Sequence, residues 1–531
     1  SACPSIEEVA EGKYSYDAVA DPIKVSNPEG VKWITPRLLV LGICFNTRVP
    51  YHFRSGSQLV ERSMLENRCF VQQPLRDTDF YAKCVRDFNE TDVMMQIRRT
   101  DLSLLVDDNE WLQHFTSAAK RTIMRQALVD LRRDGLLRND FIRSIFMKLE
   151  KSAYLTMLGL ELAHPRHIVA GTAKYLAATG PDFWALGNVV KSVFNKYASI
   201  FYGSSTAEEA GRALSYQIDS LGGLESVFFL LGDASRMDAH VHEQTLDEEH
   251  DLSVEVGVRR VCIQAIRPRS VVCYTVGGLN LVIQNRRVTG DARTSVMNTL
   301  ETARVNFGAL TEVERQLNET QVASMRMRRN EWVSMFSVVL GKDYFMNVNG
   351  DDFVAVCSRA MQHPDIQKML TTAALRLGYR MRYDVVEDLE QVCFCSRLYW
   401  PTADGLVLGA KIGRWLFKAG YMFESSKTLE DYRSQMIGHL QDNSFVPLVS
   451  DYCRAVIRIL PSSNKRAVFE EHKIHAERTH EATEDTLVFA YLRYGLTREH
   501  IEEFRLALAS VTSLPVLVNL PWLDDLYEVD Q

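Results

Sequence analysis

The feature that most constrains this chain is the run YFMNVNGDDFVAVC, residues 344 to 357. Two β-rich apolar stretches flank Gly350, Asp351 and Asp352, so the pattern predicts a strand, a tight turn and a second strand. Glycine supplies the backbone freedom such a turn needs. The turn then presents two adjacent carboxylates. Two carboxylates about 4 Å apart repel by roughly 4 kcal/mol at an effective dielectric of 20. A divalent cation cancels that repulsion, and magnesium takes carboxylate oxygen while leaving places for phosphate. A Gly-Asp-Asp triplet arises by chance in roughly one chain in ten of this length, so the motif carries weight only in company.

That company is present. In FFLLGDASRMDAHVHEQ an apolar run ends at Gly232 and Asp233 follows, which places a carboxylate at the end of a buried strand. Asp238 comes five residues later, where a helix can begin. Between the two acidic sites lies RVTGDARTSVMNTLETA, residues 287 to 303. Thr294 and Asn298 are four apart and share a helix face. Gly290 marks a flexible loop that enters this helix. An acid at a strand end, a glycine loop with a Thr/Asn helix, and an acidic hairpin therefore follow in that order.

Length and charge narrow the setting. At 531 residues the chain exceeds one hydrophobic core, and two or three subdomains are expected. Its net charge of −7 excludes a generally basic nucleic-acid binder, so any polyanion site must be local. The ten cysteines form no CxxC pair. That argues against a zinc ribbon and for free thiols in a reducing, intracellular setting. No apolar run approaches the roughly 18 residues that span a bilayer. LLVLGICF (38–45) and SVFFLLG (226–232) read as buried strands, and no signal peptide is evident. The first residue is serine, which suggests a cleavage product, a readthrough segment or a trimmed chain.

Three textures follow along the chain. Residues 108 to 160 read as helices, with Gly135 closing one of them. From about 222 to 400 short β-rich runs alternate with helical stretches, including the hairpin SVVCYTV-GG-LNLVIQ at 270 to 284. After 405 the chain is mostly helical, as in TLVFAYLRYGLTREHIEEFRLALASV. The fold class is α+β.

These segments resemble the viral RNA-dependent RNA polymerases, most closely the tombusvirus-like group of plus-strand RNA viruses. DASRMDAHV is similar to that group's DASRFDQHV, RVTGDARTSVMN to its RxSGDxNTxxxN, and NGDDFVAV to its third palm motif in standard order. Outside the palm, FMKLEKSAY (146–154) resembles FxKxEK and HPRHIVAG (164–171) resembles PRxIxPR. VERSMLENRCFV (60–71) resembles a fingers segment, and 486 to 504 the paired helices of a thumb. The resemblance covers roughly 60 to 510. It implies a right-hand polymerase with fingers, palm and thumb: residues 1–221 mainly fingers and fingertips, 222–400 mainly palm with a fingers insertion at about 245–290, and 401–531 thumb and C-terminal tail.

The resemblance also implies roles. Asp233, Asp351 and Asp352 would be the catalytic ligands of magnesium or manganese. Asp238, Thr294 and Asn298 would read the ribose. Lys148, Lys151 and Arg166 would meet the triphosphate, the usual task of such cations. FCSRL (394–398) falls at the primer-grip strand. The partners implied are template and nascent RNA, ribonucleoside triphosphates and other viral replicase proteins. The place implied is the host cytoplasm, at membrane-associated replication complexes reached through a segment or partner outside this chain. Two positions depart from the pattern. Gly171 replaces the second arginine of PRxIxPR, with Lys174 nearby as a substitute. The lysine acid expected between hairpin and grip has no counterpart beside Arg380 and Arg382, so the general acid is unassigned.

Other features have plainer readings. His240, His242, Glu243 and His250 have zinc-ligand chemistry, but within the palm pattern they are helix or loop residues. Cys393 and Cys395 alternate as packing residues on a strand. MRMRRN (325–330) with Arg259, Arg260, Arg267 and Arg269 forms either an RNA path or a solvated basic face. The acidic, aromatic C-terminus either plugs the RNA channel or is a loose tail. Two other functions compete. A reverse transcriptase usually carries an aromatic residue before the paired acids and lacks the Thr/Asn helix. A virus-derived RNA-binding scaffold would be expected to have lost acids, and all three are present.

Overall fold

The computed structural model describes residues 24–25, 38–45, 50–51, 58–148, 150–153, 166–196, 200–201, 206–327, 342–423, 428–461, 467 and 475–530. Residues 154–165, which include parts of FMKLEKSAY and HPRHIVAG, and residues 328–330 of MRMRRN fall outside the described residues.

A five-stranded sheet organises the middle of the chain. Its strand order is Met381–Val386, Val227–Ala234, Asp352–Ser358, Tyr344–Asn349 and Ile200–Phe201. The first four are antiparallel neighbours. The short fifth strand runs parallel to its neighbour. Alternation along each strand divides the side chains between two cores. Phe228, Leu230, Phe353, Ala355 and Cys357 enter one cluster, packed with helices Thr78–Asn89, Thr294–Met327 and Ile366–Arg376. Phe229, Val354 and Val356 enter the other. That second core holds helix Ala207–Ser220, the three-stranded sheet at 393–410 and the helices after 411. Helix Ala207–Ser220 thus shares its core with the C-terminal third, not with the segment that precedes it. Fold class is therefore α+β, with small sheets covered by helices.

A second five-stranded sheet joins distant segments. Its order is Lys24–Val25, Leu279–Gln284, Ser270–Thr275, Arg143–Met147 and His167–Ala170. The hairpin at 270–284 turns at Gly277 and Gly278 as the sequence predicts. Part of the 245–290 segment thus leaves the central sheet and builds on strands from the first third. Ile145, Met147, Val169, Cys273, Leu281 and Ile283 form the buried face.

LLVLGICF forms two short strands, not one. Leu38–Val40 pairs antiparallel with Tyr421–Phe423, and Ile43–Phe45 pairs parallel with Val516–Val518. The Tyr452 hydroxyl adds a bond from the C-terminal third to the Ile43 carbonyl at 2.8 Å. Helix Leu523–Val529 docks on helix Ile412–Ala419. Buried Asp530 caps the N-terminus of that second helix, accepting from the Gly413 N–H at 2.9 Å. The acidic C-terminus is therefore a packed element of the second core, not a loose tail.

Among the described residues no helix is long and apolar enough to cross a membrane. Nine cysteines are described and all are free thiols.

Candidate active site

The strand register brings the acids together. Asp352 opens its strand directly opposite Asp233 on the antiparallel neighbour. Opposed residues of such a pair have Cβ atoms about 5 Å apart. Asp351 sits beside them in the turn. Burial, then the charges of Asp351 and Asp233, push Asp352 up to about 7. Burial also raises Asp351, and the carboxylates of Asp238 and Asp233 add to it. Arg166 acts in the opposite sense on both. This is a cluster of like charges with a deficit of positive charge. Among the described residues no three His, Cys, Asp or Glu side chains converge into a ready-made metal cage. The acids share one end of the sheet without meeting at one point.

Gly350 makes the turn possible. Its φ is +61°, in the left-handed region. The turn is tied to the long helix Thr294–Met327. The Gly350 N–H donates to the Thr299 hydroxyl at 2.8 Å. The Thr302 hydroxyl donates to the Gly350 carbonyl at 2.6 Å.

The sugar-reading candidates divide. The Asn298 amide donates to Asp238 at 2.7 Å. Thr289, not Thr294, supplies the second bond to that carboxylate. Thr294 stands at the first residue of the helix, and its hydroxyl turns back to the Val288 carbonyl at 3.1 Å. It braces the loop. Gly290 has a φ of +99°, and a Cβ there would lie 2.9 Å from the Val169 carbonyl. The Val169 N–H in turn donates to the Thr289 carbonyl at 2.8 Å. The glycine loop is therefore pinned to the neighbouring sheet.

The basic candidates also divide. Lys148 and Arg166 are joined by a backbone bond of 2.8 Å from the Lys148 N–H to the Arg166 carbonyl. Both side chains are exposed, and both reach Glu150, at 3.1 and 3.3 Å. Arg166 lies near enough to Asp351 and Asp352 to act on both. Lys151 faces elsewhere. Its ammonium donates to the carbonyls of Lys418 and Tyr421 in the C-terminal third. Lys174 pairs with Asp140 at 3.3 Å.

Two further residues join the site, one of which, Cys395, the sequence reads as a packing residue. Arg68, at the end of helix Gln58–Arg68, lies among Arg166, Arg236, Glu150 and Asp351. Burial and the two neighbouring guanidiniums lower its pKa. Cys395 is the other. It occupies a turn with a φ of +52°, not a strand. Its sulfur accepts from the Asn349 amide at 3.3 Å, and its thiol hydrogen-bonds Asp352. Only the last of these had a sequence signal, the placement of FCSRL after the acidic hairpin.

The remaining candidates disperse. His240 and His242 are held neutral, each lowered to about 4 chiefly by burial. His242 faces the Gly378 carbonyl, and His250 lies beside Asp251. Arg259 is tied to Asp182 and Asp108, and Arg269 to Asp247. These two arginines serve the fold, which shortens any basic path that includes them. No protein-family model matches this chain, and no curated protein matches it in sequence.

Proposed function

We propose that the chain is an RNA-dependent RNA polymerase, with the right-hand arrangement of fingers, palm and thumb. It joins ribonucleoside triphosphates to a growing RNA on an RNA template and releases pyrophosphate. The observation that carries this reading is the pairing of Asp233 with Asp352, with Asp351 in the adjoining turn and Asp238 bonded to Asn298 of the long helix.

The acid cluster suits a hard divalent cation. Asp352 is raised first by burial and then by the charges of Asp351 and Asp233, and the donors are carboxylates only. Asp233, Asp351 and Asp352 would hold magnesium or manganese. Bound there, the ions supply charge stabilisation for phosphoryl transfer. The chain's own groups do the rest. Asp238, held by Asn298 and Thr289, presents a carboxylate to a ribose 2′-hydroxyl, the group that separates RNA from DNA precursors. Arg166 and Lys148 offer charge-assisted bonds to phosphate oxygens. Lys151 is outside this set because its ammonium points to the Lys418 and Tyr421 carbonyls.

The partners in this reading are template and nascent RNA, nucleoside triphosphates and other replicase proteins. The setting is a membrane-associated replication complex in a host cytoplasm. Extension of RNA on an RNA template, with ribo- and deoxyribonucleotides offered separately, tests the activity. Ribonucleotide-dependent extension supports it. No incorporation with magnesium or manganese, from primed or unprimed RNA, defeats it, and extension by deoxyribonucleotides alone makes the chain a reverse transcriptase.

A further inference from the structure

One turn of the long helix touches both halves of the site. Asn298 bonds Asp238, and the next residue, Thr299, bonds the acidic turn. The hydrogen inventory fixes the roles of the two threonines. Thr299 spends its proton on the Ser295 carbonyl at 2.8 Å, so its lone pair is what receives the Gly350 N–H. Thr302 spends its proton on the Gly350 carbonyl. Both side chains are fully buried, so water cannot readily take their place. Among the described residues, and apart from its two chain neighbours, no atom lies within 4 Å of where a Cβ on Gly350 would stand, so none of them braces that side of the turn.

The connection continues past the helix. The Asn306 amide donates to the Thr302 carbonyl, and the Tyr383 hydroxyl donates to Asn306, both at 2.8 Å. Tyr383 belongs to the strand beside that of Asp233 and lies opposite Gly232. Hydroxyl, amide and phenol thus link the acidic turn to the strand flanking its partner acid.

Building on the polymerase reading above, we propose that Thr299 and Thr302 are positioning residues that fix the acidic turn to the sugar-reading helix. A 2′-hydroxyl engaged at Asp238 and Asn298 then steadies the helix turn that sets Asp351 and Asp352. Sugar identity is therefore read in the rate of incorporation as well as in nucleotide binding.

The test uses Thr299→Val and Thr302→Val, which keep shape and remove the hydroxyl, with Thr302→Ser as the variant that retains it. For each, kcat and KM are measured with ribo- and deoxyribonucleotides, alongside the melting temperature and hydrogen exchange at the Gly350 amide. The expected result is a kcat for ribonucleotides lower by about ten- to a hundredfold, with KM nearly unchanged. The ribo-to-deoxy ratio should shrink, the Gly350 amide should exchange faster in Thr299→Val, and Thr302→Ser should restore the rate. Wild-type kcat and an unchanged ratio in both valine variants overturn the proposal, as does an equal fall for both sugars. If Thr299→Val does not fold, the Thr302 pair decides alone. A wild-type protein that incorporates nothing defeats the polymerase reading itself. An active wild type with indifferent threonine variants defeats only this one.

Discussion

Asp233 and Asp352 face each other across two antiparallel strands, and Asp352 is pushed up to about 7 in that position. Charge rather than shape is what this pair contributes. Asp351→Asn and Asp352→Asn should abolish RNA synthesis while leaving circular dichroism and melting temperature at or above wild type, because each removes like-charge repulsion. An extension gel on the purified variants decides it. Synthesis at the wild-type rate by either variant would remove that residue from the acid set.

Sugar choice should follow the Asp238 carboxylate. Asn298→Ala removes one of its two side-chain bonds, and Asp238→Ala removes the carboxylate itself. Both should lower the preference for ribonucleotides, and Asp238→Ala by more. An unchanged ribo-to-deoxy incorporation ratio in the two variants would show that the 2′-hydroxyl is read elsewhere.

The two basic residues should behave differently. A charge-assisted contact is worth roughly 1.5 to 3 kcal/mol, so Arg166→Ala should weaken nucleotide use about ten- to a hundredfold and leave RNA binding intact. Lys151→Ala should instead loosen the junction with the Lys418–Tyr421 corner, lowering thermal stability with little change in nucleotide KM. Nucleotide titrations, an RNA-binding curve and melting curves on both variants check the assignment. Lost RNA binding in Arg166→Ala with normal nucleotide dependence would move Arg166 to the template path.

Glu66 makes a pH-dependent prediction away from the acids. Burial raises it to about 7, against the opposing charge of Arg62. The folded state thus holds a proton that the unfolded state releases near the ordinary glutamate value, and it binds more protons in between. Stability contributed by this group is full below about pH 4.5 and falls as pH rises towards 7. Glu66→Gln should therefore raise the melting temperature at pH 8 and change it little at pH 4.5. A larger gain at the lower pH would reverse the sign.

His480 is a structural counterpart. Its ring is fully buried between Asp404 and Glu208, with a 2.8 Å bond to each. The imidazole holds Glu208 below the ordinary range despite the burial that would raise it. Breaking a buried pair by removing one partner costs roughly 3 to 5 kcal/mol. His480→Ala should lose about that much in urea unfolding, and Glu208→Gln in the same background should recover part of it. Additive losses would show that the two residues are not coupled.

The sequence made the hairpin, the strand-end acid and the Asn298 helix legible because each depends on local pattern. Alternation fixed which residues of 344–358 face the cores, and a four-residue spacing put Asn298 on the helix. The same spacing points to Thr294, which instead braces the loop, because the helix begins at that residue and its hydroxyl finds a carbonyl behind it. Lys151 is only three residues from Lys148, yet it belongs to a different pairing. Ser152–Ala153 pairs with Pro50–Tyr51 and carries the second lysine to another part of the fold. Arg68 reaches the site through tertiary contacts alone, and no spacing near it announces that, while Cys395 is signalled only by the placement of FCSRL after the hairpin. The packing of the acidic C-terminus is not legible in the sequence because its partner, the start of helix Ile412–Ala419, is more than a hundred residues away.

The strand at Ile43–Phe45 has a consequence in time. Tyr452, which bonds Ile43, follows it by 409 residues. At roughly 5 to 20 residues per second, a ribosome takes on the order of 20 to 80 seconds to deliver that partner, and longer to deliver Val516–Val518. Throughout that interval Ile43, Cys44 and Phe45 are apolar residues without their final neighbours, the condition in which chaperones bind nascent chains. The second core can close only once Val516–Val518 has been made, so a chain that stops between Tyr452 and Val516 should be degraded and not merely shorter.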